Sequence, residues 1–146
     1  LMFCFAYGTN MSQPDMARRA PGARALGLGR LDRHRLVVTA AGYLAVKAGP
    51  AGTVHGVVWR LTPRDIARLD AYEGLGPGRY RRRLMPIRTK GGARPCFVYH
   101  GAGVREGARL NRRPFVEAVL GPAMAWNLPA PALAGLRRLA RRGCRG

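Results

Sequence analysis

The chain has 146 residues, 47% hydrophobic and 23% charged, the composition of a globular protein and the length of one domain over residues 1–146, burying roughly two-thirds of its unfolded surface. No stretch approaches the ~18 consecutive apolar residues of a bilayer span, so a membrane role is not expected. A formal net charge of +19, from 26 basic and 7 acidic residues, attracts polyanions, but Lys47 and Lys90 are the only lysines and the arginines are scattered without a recognition motif, so nucleic acid is not the expected partner.

Residues 2–7, apolar and aromatic, read as a buried strand stopped by Gly8, and the loop after it carries Thr9 and Asn10. Ser12 and Asp15 form a capping pair that opens a short helix, which Pro21-Gly22 ends. Residues 25–39 are extended, and the Gly- and Ala-rich 40–53 read as a loop holding a short strand near 43–46. "VHGVVWRL" at 54–61 is β-branched and aromatic, a central strand in which Gly56 admits close approach of another group or marks a bulge. Thr62-Pro63-Arg64-Asp65 supplies a hydroxyl N-cap, a proline at the first helical position and a carboxylate three residues after the cap. That helix runs to about Tyr72 and stops at Gly74. Beyond the turn-rich "LGPGRY", strands near 80–89 and 95–99 pair antiparallel around a Gly91-Gly92 turn. The remainder is helical: 113–120, a break at Gly121-Pro122, then 131–142 with Leu133, Leu136 and Ala140 on one face.

Glu73 stands out among the three glutamates. It lies seven residues after Ile66 and four after Leu69, so at about 100° per residue it shares their core-facing side. At the last turn of a helix, desolvation and the negative end of the helix dipole both disfavour the anion and raise the pKa, the tuning a general base or acid needs near neutral pH. The structural alternative is an ion pair with Arg79, Arg81, Arg82 or Arg83. The backbone amides around Gly8, Thr9 and Asn10, with the hydroxyl and amide side chains, suit a carboxylate or oxyanion, although an ordinary strand-to-helix turn has the same composition.

"FAYGTN" at 5–10, "VHGVVWRLTPRDIARLDAYEG" at 54–74 and "GRY" at 78–80 together resemble the γ-glutamylcyclotransferase family, over most of the chain through "CFVYH" at 96–100 and more weakly in the C-terminal helices. The resemblance implies an α+β fold, a compact mixed β-barrel with surrounding helices. It implies intramolecular aminolysis of a γ-glutamyl amino acid, amine or γ-glutamyl-capped metabolite to 5-oxoproline and a free amine, without metal or cofactor, and a possible homodimer. By the same resemblance the catalytic carboxylate falls on Glu73 and the substrate loop on Tyr7, Gly8, Thr9 and Asn10, with Tyr80 and Tyr99 lining or supporting the pocket. The family usually carries serine where this chain has Thr9, which keeps the hydroxyl, adds a methyl and tightens the pocket slightly.

Two other readings remain at this stage. The same fold can serve as a non-catalytic basic module for an acidic partner, with Glu73 paired to arginine. Cys4 with His55 or His100 can form a thiol-imidazole pair, although a cysteine in an apolar strand is usually a small buried hydrophobe. Cys4, Cys96 and Cys144 are odd in number and far apart, fitting neither a disulfide framework nor a zinc site. No basic stretch followed by an apolar segment and cleavage site opens the sequence, so a reducing cytoplasm is the expected compartment.

Overall fold

A computed structural model describes residues 2–74, 80–101, 105–107, 110 and 112–142. Five strands, β1 (Met2–Ala6), β2 (Arg24–Val38), β3 (Leu44–Leu61), β4 (Arg81–Thr89) and β5 (Gly92–His100), close into a barrel in the order β1-β3-β2-β4-β5. The sheet is mixed: β1 runs antiparallel to β3 and parallel to β5, meeting it at Cys4 and Phe97, and the other pairs are antiparallel. Helices α1 (Gln13–Arg19), α2 (Pro63–Glu73), α3 (Arg112–Phe115), α4 (Gly121–Ala125) and α5 (Ala130–Arg142) surround it, an α+β architecture. One core cluster joins the strand residues Phe5, Val57, Ile87 and Val98 to Leu69 of α2 and Leu136 of α5. Among the described residues no helix is long and apolar enough to cross a membrane.

Local chemistry sets the elements that matter for function. Ser12 Oγ accepts from the Asp15 amide at 3.3 Å and starts α1. Thr62 and Asp65 form a full capping box at the start of α2, and Asp65, 1% exposed, also accepts from the Gly22 amide at 3.1 Å. This cap therefore ties α2 to the segment that follows α1. Gly74 ends α2 in the left-handed region, φ 64, where a β-carbon would be strained. Thr62→Ala, which loses both the cap and a partner of a buried carboxylate, is expected to cost about 1–2 kcal/mol in a denaturant titration.

Two expectations are corrected. Residues 40–53 are not mainly loop: β3 already starts at Leu44 and continues to Leu61. The register passes from Asp32↔Thr53 to His34↔Ala48, so the Gly- and Pro-containing stretch 49–52 is absorbed as a wide bulge in a strand still paired to β2. Gly121-Pro122 does not break the helix either. A wide turn over Val116–Leu120, in which the Gly121 amide bonds back to the Val116 carbonyl, links α3 to α4 and seats the proline near the start of α4, where its missing N–H and its ring are tolerated. Residues 75–79, read from sequence as a turn-rich connection, and Cys144 lie outside the described residues.

Candidate active site

The end of β1 and the end of α2 meet. The chain leaves β1 at Ala6, passes Tyr7 and Gly8 and makes one tight helical turn, Thr9–Met11, held by the Met11 amide on the Gly8 carbonyl at 3.1 Å. Gly56 of β3 lets β1 run close, since a β-carbon there would sit 2.1 Å from the Ala6 carbonyl oxygen. Trp126 anchors the turn from the other side, its Nε1 donating to the Met11 carbonyl at 2.7 Å while its ring packs edge-on against Trp59. Both tryptophans are thus structural.

Across this turn stands Glu73. Ile66 and Leu69 are buried beneath it, as the helical spacing requires, and Asn10 Nδ2 donates to Glu73 Oε1 at 3.1 Å. Burial pushes the Glu73 carboxyl up to about 7, against the attraction of Arg19 and the hydrogen bond from Asn10, which pull it down. Of the arginines weighed as alternative partners of Glu73, Arg79 lies outside the described residues. Arg82 pairs with Asp70 at 2.6 Å, and among the described residues the cation acting on Glu73 is Arg19 of α1, which sequence reasoning had not singled out.

Glu73, Tyr7, Gly8, Thr9, Asn10, Tyr80 and Tyr99 all line one cavity of about 370 Å³, whose apolar wall includes Leu44, Leu110, Phe115 and Val119. The tyrosine hydroxyls are already committed. Tyr7 donates to the Tyr99 carbonyl, Tyr80 to the Leu44 carbonyl, and Tyr99 to Asp70 Oδ1 at 2.7 Å. Their rings shape the cavity and their hydroxyls brace it. Burial holds the phenols of Tyr7, Tyr80 and Tyr99 well above the ordinary range, so they stay neutral.

The thiol alternative fails on its environment. Cys4 is 1% exposed and burial, reinforced by the nearby Glu73 charge, drives its thiol far above the ordinary range, so no thiolate forms there. Among the described residues no three His, Cys, Asp or Glu side chains gather as a metal site requires.

Residues 4–116 match the model of the family described as gamma-glutamyl cyclotransferase, AIG2-like. The chain belongs to that family. Solved structures agree on the cyclotransferase fold: a gamma-glutamyl cyclotransferase superposes with TM-score 0.84 at 21% identity, covering 94% of this chain and 87% of that one. An uncharacterized protein of Homo sapiens gives 0.83 at 21% identity with the same coverages, and an AIG2-like protein of Mus musculus gives 0.60 at 21%, covering 76% of this chain and 98% of that one. At such identities the likeness is one of fold. No curated protein matches the chain.

Proposed function

We propose that the protein is a γ-glutamyl cyclotransferase that releases 5-oxoproline and a free amine from a γ-glutamyl amino acid, amine or γ-glutamyl-capped metabolite, with Glu73 moving the proton. The observation that supports this reading most is the Asn10–Glu73 contact, which sets the only cavity-lining carboxylate among the described residues against the loop, in a chain of this family.

Glu73 as carboxylate takes a proton from the α-ammonium of the bound donor. The freed amine attacks the γ-carbonyl carbon and the C–N bond of the ring forms; Glu73 passes its proton to the leaving nitrogen as the C–N bond to the leaving amine breaks, then takes the second proton from the ring nitrogen and hands it to the released amine, which departs as an ammonium. One residue serves both transfers because its pKa lies near neutrality. Nucleophile and electrophile share one molecule, so the cavity's task is to fold the donor into an attack-ready shape and exclude water. The amides of Gly8 and Thr9 hold the carbonyl oxygen as it gains charge. A β-carbon at Gly8 would meet no protein atom within 4 Å, so packing does not demand glycine there; the bare backbone serves the ligand.

A panel of γ-glutamyl donors, assayed for 5-oxoproline, tests the proposal and identifies the amine half. The reacting form is the carboxylate, so kcat is expected to rise with pH through a limb whose midpoint is close to 7 and to fall below it. A flat profile from pH 5 to 8, or glutamate as the product, contradicts it.

A further inference from the structure

Arg19 lies in the last turn of α1, behind the loop and outside the cavity lining. One nitrogen of its guanidinium, Nη1, donates both to Thr9 Oγ1 at 2.8 Å and to Asn10 Oδ1 at 2.8 Å. The guanidinium also stacks 3.9 Å from the ring centroid of Tyr72, the neighbour of Glu73. Three elements, α1, the loop and the end of α2, therefore converge on one side chain.

A guanidinium has donors and no acceptor. It can face Asn10 only through the amide oxygen, which leaves Nδ2 to face the carboxylate. An asparagine without that partner can turn over, and its oxygen would then oppose Glu73, acceptor against acceptor. We propose that Arg19 is the positioning residue of this site: by gripping Thr9 Oγ1 and Asn10 Oδ1 together it fixes the loop and the sense of the Asn10 amide, so that Oε1 of Glu73 is held and Oε2 is the oxygen that moves the proton. The role in proton transfer rests on the cyclotransferase reading, whereas the grip on Asn10 does not.

The electrostatic surroundings agree. Cys4 and Tyr7 from the β1 side, Tyr80 and Tyr99 from the β4–β5 side, all near enough to feel the Glu73 charge, are kept neutral by burial. Tyr72 lies on the same helix, and Arg82 is engaged by Asp70. Among the described residues Arg19 is the cation that acts on Glu73, and together with Asn10 it limits how far burial can raise the carboxyl.

The test is a 13C NMR titration of the Glu73 side-chain carboxyl alongside steady-state kinetics in wild type, Arg19→Gln and Arg19→Lys. In Arg19→Gln the Glu73 midpoint moves to higher pH and kcat falls by about tenfold to a hundredfold, the scale of a misplaced reacting group. In Arg19→Lys, which keeps the charge but not the planar fork, the midpoint returns toward the wild-type value while part of the rate loss stays. If Arg19→Gln does not fold, Arg19→Lys carries the test: with the charge kept and the fork lost, the midpoint stays near the wild-type value while kcat falls, and a kcat within twofold of wild type overturns the proposal. A Glu73 midpoint unchanged in folded Arg19→Gln, with kcat within twofold of wild type, overturns the proposal. If wild type turns over no γ-glutamyl donor, the function falls, and the NMR signals of the Asn10 side-chain amide still decide the grip: they shift in both Arg19→Gln and Arg19→Lys if Arg19 holds Asn10, and stay in place if it does not.

Discussion

Glu73→Gln is expected to release no measurable 5-oxoproline and, at alkaline pH, to be more stable than the wild type. The amide keeps the shape of the side chain but neither accepts nor returns a proton, and positioned proton transfer is worth roughly 10² to 10⁴ in rate. The gain in stability follows from the same burial. In the folded protein the carboxyl is pushed from 4.5 to about 7, so between these values the folded state holds a proton that the unfolded chain releases. Stability is fully kept below the lower value and is lost as pH rises through the upper one, where the anion carries its desolvation cost. Glutamine avoids that cost, on the order of 2–3 kcal/mol. Thermal melts of the two proteins should coincide near pH 4, and at pH 8 the variant should melt higher, by roughly 5–10 °C. Equal melting at both values, or retained turnover, contradicts the role given to Glu73.

Gly56→Ala is expected to be strongly damaging to the barrel. The added carbon would lie 2.1 Å from the Ala6 carbonyl oxygen and 3.0 Å from the Phe5 ring, and the closer contact is with backbone that no side-chain rotation relieves. β1 must then move away from β3, and with it the loop that begins two residues after Ala6. A loss of 3 kcal/mol or more is expected, the upper part of the range for overpacking. A urea titration reads it directly, and a loss below 1 kcal/mol would mean that the strands are not held as close as described. Activity should fall beyond what the remaining folded fraction explains, because the displaced loop carries Asn10.

Sequence reading succeeded where a short rigid period or a local cap decides the structure. The i, i+3, i+7 placement of Ile66, Leu69 and Glu73 has one outcome once a helix forms, and Thr62 with Asp65 ensures that it does. The reading failed where tertiary pairing overrides composition. Residues 49–52 look like a loop, and they are a bulge because β2 pairs with β3 on both sides of them. Gly121-Pro122 looks like a stop, and a turn closed through an i→i−5 hydrogen bond accommodates it. Arg19 could not be chosen from among two dozen arginines. A basic residue near the end of a helix is ordinary, and only the fold shows that this one reaches back to Thr9 and Asn10. The tyrosines lie between these cases: their place at the cavity was expected, while the commitment of their hydroxyls to backbone and Asp70 depends on strand neighbours that no local pattern reveals.

The +19 charge plays no part in the proposed chemistry, since the described cavity lining holds a single charged side chain, Glu73.

The measurement that tests the central claim most directly is the product balance of wild type and Glu73→Gln on the γ-glutamyl donor that the panel selects, at pH 8. The account predicts 5-oxoproline and free amine in equal amounts from wild type and neither from the folded variant; glutamate in place of 5-oxoproline, or full turnover by Glu73→Gln, would contradict it.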